Sequence, residues 1–175
     1  TFFVDGMRVD ADGYGGDGWF FAWHLCIFGA NVNSWSTADT VVNWVRDQAD
    51  VGGSGAESWG LVQSKFQVVT LQETRLKSPD KIISAQSWAC RNGHQVSLGK
   101  ALSTGDGPLQ SSGGVGILVA GEIASRPLDL PGLGRFDGRI VGRVINAGFD
   151  QGLEIYSVYL VNDIGVTGEN LELLE

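Results

Sequence analysis

Residues 66–76 read Phe66-Gln67-Val68-Val69-Thr70-Leu71-Gln72-Glu73-Thr74-Arg75-Leu76. Val68, Val69 and Leu71 form an apolar, β-branched-rich run of the kind that makes a buried strand. The run stops at Gln72, Glu73, Thr74 and Arg75. A strand that is apolar to its last residue and then presents a carboxylate aims that carboxylate at the carboxyl edge of its sheet. In α/β sheets that edge is where ligands sit. A single Glu after a strand is most often a solvated loop residue, so the meaning of Glu73 comes from its surroundings.

Working outward, 175 residues suffice for one domain with a core. The composition, 43% hydrophobic and 18% charged, is that of a globular protein. No apolar run approaches the ~18 residues that a membrane span needs, so no membrane partner is expected. The 26 glycines fit turn-rich, β-containing structure better than a helical bundle. A net charge of −8 argues against a general polyanion-coating protein. It leaves a nuclease open, because carboxylates that hold a divalent cation contribute to the negative count. Cys26 and Cys90 stand in apolar contexts and read as buried free thiols. Two histidines and two cysteines without close spacing do not make a zinc site. The stretch that opens on Thr1 lacks the charged, apolar, then small-residue pattern of a secretory leader. An intracellular setting, nuclear or cytoplasmic, and a longer parent chain are expected.

The chain divides into a Gly/Asp-rich extension over residues 1–24 and an α/β region over 25–175. Asp10 to Phe21 resembles a calcium loop superficially, but Tyr14 and Phe21 stand where ligands are needed, so a Gly/Asp loop is the better reading. Leu25 to Asn33 reads as a buried strand ending in two amides. Ser36-Thr37-Ala38-Asp39 supplies a helix start, with helical spacing continuing to about Ala49. Residues 51–67 are Gly/Ser-rich and read as an insertion before the central strand. Ser78-Pro79-Asp80 opens a helix whose apolar stripe is Ile82, Ile83, Ala85, Trp88 and Ala89, with Gly93 as its stop. His94 to Leu98 and Val115 to Val119 read as strands, and Leu128 to Gly138 as a Pro/Gly loop. Arg139 to Asn146 and Leu153 to Val161 read as paired strands. A helix with Leu171, Leu173 and Leu174 follows. The order predicts an α/β protein with a mixed sheet rather than a doubly wound parallel one.

Three polar clusters each follow an apolar strand: Asn31 with Asn33, Gln72 with Glu73, and Tyr159 with Asn162. Singly, these have bland readings as turn formers, a surface acid and a core aromatic. Together they would line one sheet edge with a hard-cation ligand, amides and a phenol. That set suits magnesium and a phosphate, since magnesium takes few carboxylates plus phosphate oxygens and water.

Four stretches carry a family resemblance. They are Ala30-Asn31-Val32-Asn33, Val69 to Arg75, Gly113-Gly114-Val115-Gly116-Ile117-Leu118, and Gly138-Arg139-Ile140-Val141 together with Val158-Tyr159-Leu160-Val161-Asn162. In order and spacing the chain resembles the endonuclease/exonuclease/phosphatase (DNase I-like) superfamily, and within it the endonuclease domains of non-LTR retrotransposons. The resemblance implies the N-terminal half of a four-layer α/β sandwich, here with one mixed β-sheet and flanking helices. It implies Glu73 as the metal ligand, with Asn31 orienting the metal or its ligands. Tyr159 would contact the scissile phosphate, with Asn162 beside it. Arg139 would either hold the sheet or a loop, or contact a phosphate. The implied cofactor is Mg2+ or Mn2+, the implied partner of the full-length parent is DNA, and the implied reaction is in-line hydrolysis of a phosphodiester.

The chain departs from the family pattern at several places. Asn33 stands near a position where family members often carry an acid, and Val161 where proline is common. Residues 51–67 separate segments that the family usually joins almost directly. The family's later Gly-Asp-x-Asn box and closing Asp-His pair do not occur in these 175 residues, and neither His24 nor His94 lies in a matching context. Little or no turnover by these residues alone is therefore expected, and an uncovered apolar sheet face with poor solubility. A phosphatase of the same superfamily and a degenerate, non-catalytic fragment are the alternatives.

Overall fold

The computed structural model describes residues 25, 27–38, 40, 67–103, 111–131, 134–146, 151–161 and 164–175. The expected extension over residues 1–24, the helical stretch beyond residue 40, Cys26, nearly all of 51–67 and Asn162 lie outside the described residues.

The central strand forms where its apolar run requires it. Strand β1 (Ile27–Asn31) runs parallel to β2 (Val68–Gln72), with Ile27 opposite Val68 and Asn31 opposite Gln72. On its other side β2 pairs antiparallel with β6 (Val115–Ala120), which pairs antiparallel with β3 (His94–Leu98). The sheet is mixed, in the order β1-β2-β6-β3. Its two central strands are apolar on both faces because both faces are covered. Val69, Leu71 and Leu118 pack with Val32, Ala38 and Ala89 on one side. Val68, Ile117 and Val119 pack with Ile145 and Ile155 on the other.

The first face is covered by a helical turn at 35–38 and by helix α1 (Pro79–Arg91). Ser78 caps α1 by accepting from the Lys81 amide at 3.4 Å, Pro79 occupies the first turn with Asp80, and Gly93 follows with φ +75°. Ala85 and Ala89 are its buried residues, and Trp88 meets Trp35 edge-on at 5.5 Å between ring centroids. Two details differ from expectation. Ile83 points to solvent, 58% exposed, and Cys90 is an exposed free thiol rather than a buried one. The expected buried strand at 25–33 is shorter and only half-buried, since β1 is the edge strand of the sheet.

The second face corrects the expectation of a single sheet. Strands β7 (Ser125–Leu128), β8 (Ile140–Ile145) and β9 (Leu153–Val158) form a separate antiparallel sheet in that order. Inward residues alternate along β8 and β9, with Val141 opposite Ser157, Arg143 opposite Ile155, and Ile145 opposite Leu153. The apolar face of the mixed sheet is therefore covered, which removes the reason to expect poor solubility: Val68, Ile117 and Val119 are fully buried. A two-stranded ribbon, β4 (Leu102–Ser103) with β5 (Ser111–Ser112), and a short helix α2 (Glu169–Leu174) complete the described elements. Helices on one face of a mixed sheet and a second sheet on the other make an α/β architecture. Among the described residues no helix is long and apolar enough to cross a membrane.

Buried arginines tie the layers together. Arg143, 3% exposed, reaches from β8 to Ser97 on β3 at 3.0 Å, to Gln95 at 3.2 Å and to Ser125 at 2.8 Å. Its partners are neutral, and burial pushes its pKa down from the usual guanidinium range. Arg139, 2% exposed, donates to Asn170 at 2.6 Å, to Glu169 at 3.0 Å and to the Tyr159 carbonyl at 3.3 Å. Of the two roles weighed for Arg139, holding the structure is the one its contacts serve.

Candidate functional site

The carboxyl ends of β1, β2 and β9 meet the amino ends of β6 and β8 at one rim. Backbone hydrogen bonds stitch it. The amides of Thr74 and Arg75 donate to the carbonyls of Gly114 and Gly113 at 2.9 and 3.2 Å. The Gly114 amide donates to the Gly138 carbonyl at 3.0 Å, and the Tyr159 amide to the Arg139 carbonyl at 2.7 Å. The exits of β2 and β9 are thus joined through the glycine pair that precedes β6.

That pair is glycine for a steric reason. Gly113 and Gly114 have φ of +71° and +77°. A Cβ on Gly114 would lie 2.6 Å from the Thr74 hydroxyl, and one on Gly113 would lie 3.2 Å from the Tyr159 ring. Glycine here lets the phenol pack against the pair that holds the loop carrying Glu73.

Glu73 leaves β2 in an uncommon backbone state. Its φ is +57°, Arg75 follows at +54°, and Asn33 at the end of β1 has +57°. These three are the described non-glycine residues with positive φ, and all lie at this rim. Such conformations cost of order 1–3 kcal/mol each and cluster at functional sites. The Glu73 side chain is 16% exposed, and its Oε2 lies 3.6 Å from Nη2 of Arg75.

Tyr159 senses the same carboxylate. Its phenol pKa is raised, first by burial and then by the charge of Glu73, against opposing effects of Arg139 and Arg75. The Tyr159 ring lies against Gly113, and the Gly113–Gly114 pair holds the amides of Thr74 and Arg75, so two of the residues singled out from sequence, Glu73 and Tyr159, adjoin the same glycine pair. Asn31 stands at the same edge, opposite Gln72, with an exposed side chain whose Oδ1 accepts from the Asn33 amide at 3.1 Å. Asn33 itself is exposed and turned by that bond. His94 lies at the far end of its sheet, opposite Ala120, and takes no part in the rim.

No family model matches this chain, and no curated protein matches it.

Among the described residues no group of three or more His, Cys, Asp or Glu gathers to hold a metal. The rim offers the Glu73 carboxylate and the Asn31 amide oxygen, which has a second acceptor lone pair beyond the one used by Asn33. A hard-oxygen set with one carboxylate fits magnesium completed by water and phosphate oxygens. It does not fit zinc or an all-protein calcium cage.

Several residues that build the rim carried no role in the sequence reading. Ser157, 1% exposed, donates to the Leu71 carbonyl at 3.0 Å and so fixes β9 against β2. Asn170, also 1% exposed, holds both main-chain groups of Val161, accepting from its amide at 2.8 Å and donating to its carbonyl at 2.9 Å. A polar residue at an inward position of an alternating strand was the available signal for Ser157. None marked Asn170.

Proposed function

We propose that this rim binds a divalent cation and a phosphoryl group, and that it belongs to a Mg2+-dependent phosphodiester-hydrolysing domain, a DNA endonuclease of retroelement type. The observation that carries this reading is the placement of Glu73 and Tyr159 beside the same Gly113–Gly114 pair, at the edge where Asn31 also ends its strand. Glu73 and the Asn31 amide oxygen would hold the cation. When bound, Mg2+ supplies charge stabilisation to the phosphoryl oxygens and lowers the pKa of a bound water.

The chain's own residues contribute position and polarity. The Tyr159 phenol, kept protonated by burial and by Glu73, is a hydrogen-bond donor for a phosphoryl oxygen across the neutral pH range. Gly113 lets it approach, and the Arg139–Asn170 bonds hold the segment that follows it. Overall, water would add to phosphorus as the ester oxygen leaves, giving a phosphomonoester and an alcohol.

A second reading, a phosphoryl-binding domain without turnover, is favoured by the absence of a group of three metal-ligating side chains among the described residues. Equilibrium binding of a short DNA duplex by this chain with and without Mg2+, beside plasmid nicking by a chain extended to carry the family's Gly-Asp-x-Asn and Asp-His motifs, tests both. Mg2+-stimulated binding that is lost in Glu73→Gln, with nicking, supports the nuclease. The same binding without nicking supports the second reading. Binding indifferent to both Mg2+ and Glu73→Gln rejects both.

A further inference from the structure

Three arginines of the described structure, Arg139, Arg143 and Arg75, differ in how their donors are used. Every guanidinium nitrogen of Arg139 and of Arg143 donates to a partner. Arg75 does not follow suit. Its Nη2 lies 3.6 Å from the Glu73 carboxylate, an ion pair longer than a hydrogen bond, and its Nε is buried with no hydrogen-bond partner. A buried donor that makes no bond has lost its water without return. Its backbone, by contrast, is pinned: φ is +54° and its amide is held by the Gly113 carbonyl. The side chain is 36% exposed and within Coulombic reach of the Tyr159 phenol. A fixed base thus carries an under-used head beside the acid and the phenol.

We infer that Arg75 is an exchangeable counter-ion of the rim. It neutralises Glu73, yields that carboxylate to a divalent cation, and then turns its Nε and Nη2 edge to an oxyanion of the phosphoryl group. This inference rests on the reading of Glu73 as a cation ligand. The chemistry favours the exchange because the Nε–Nη2 edge is one of the two faces by which guanidinium grips two oxygens of a carboxylate or phosphate. In its present position that edge makes one long ion pair and, among the described residues, no hydrogen bond. Cation and oxyanion binding are consequently coupled through Arg75, each favouring the other.

Titration calorimetry of the 175-residue chain with Mn2+, and then with inorganic phosphate at saturating Mn2+, tests the inference. Removing the competing cation in Arg75→Met tightens Mn2+ binding about twofold to fivefold, the size expected of a partly exposed ion pair. The same change weakens phosphate binding about tenfold or more, the size of a lost charge-assisted hydrogen bond. Arg75→Lys keeps the competition with Mn2+ but recovers only part of the phosphate affinity, lacking the fork. Arg75→Gly, which suits the left-handed backbone, guards against misfolding and should behave as Arg75→Met does. If Mn2+ binds in a Glu73-dependent way and the Arg75 variants leave both affinities unchanged, the exchange is refuted while the cation site stands. If Mn2+ binding is the same in the native chain and Glu73→Gln, the cation site and the exchange both fall.

Discussion

The Ser157 hydroxyl on β9 donates to the main-chain carbonyl of Leu71 on β2, 3.0 Å away, across the interface of two sheets that share no ladder. Like the bonds of Arg143 to Ser97 and Gln95, it is a buried polar bond between the two sheets, and it sits two residues before both Glu73 and Tyr159. Ser157→Ala removes it and is expected to cost about 1–2 kcal/mol of stability. Urea unfolding of the variant checks this, and an unchanged midpoint would mean the bond contributes nothing.

Glycine substitutions should separate close approach from mere turn formation. A Cβ on Gly138 would lie 1.6 Å from the Lys100 carbonyl oxygen, with φ at +84°, whereas one on Gly134 meets nothing within 4 Å. Gly138→Ala is expected to cost about 3 kcal/mol or more, since backbone must move. Gly134→Ala should be within about 0.5 kcal/mol of the native chain. Thermal melts of the two variants make the comparison.

Glu73 should pit stability against binding. Its left-handed backbone strains any residue with a Cβ. Glu73→Gly is expected to raise stability by about 1 kcal/mol, less a few tenths for the long pair with Arg75. The same variant should lose Mn2+ binding. Chemical unfolding and calorimetry on one preparation read both effects, and a destabilised Glu73→Gly would show that the carboxylate supports the loop.

The phenol of Tyr159 gives a pH signature. Its folded pKa is raised above the unfolded value of 10.0, chiefly by burial and next by Glu73. The stability this lends is therefore complete below 10.0 and is lost as pH climbs through the folded value. Ultraviolet titration should show Tyr159 ionising late together with Tyr156, whose phenol is raised by its hydrogen bond to Glu154, and Tyr159→Phe should remove one of the late-ionising phenols. Glu73→Gln should bring the Tyr159 step closer to 10.0 without reaching it, because burial is the larger cause.

How much of this could be seen in the linear sequence depended on what each residue reports. Val68, Val69 and Leu71 marked the central strand because both sheet faces are covered, and a doubly covered strand is apolar throughout. Ser78, Pro79 and Gly93 marked α1 because caps are local chemistry. The second sheet was harder to foresee. Its strands β8 and β9 alternated visibly, but β7 contains Pro127, tolerated there because β7 is an edge. Nothing local showed that this sheet covers the first. The rim was legible as residue types after strands, at Asn31, Glu73 and Tyr159. The left-handed turns at Glu73 and Arg75 were not, since neither residue advertises positive φ. Arg143 gave no sign of burial because its partners, Gln95, Ser97 and Ser125, are neutral and come from other strands.

The carboxamide of Asn170 has a consequence beyond holding α2 in place. By bonding both the amide and the carbonyl of Val161, it stands in for the peptide group of a neighbouring strand. At that point the one main-chain N–H is already used and the carbonyl already accepts a bond, so Val161 is a poor partner for an incoming strand. Disabling that side chain should therefore do more than loosen a helix: it would free the amide and carbonyl of Val161 to pair elsewhere.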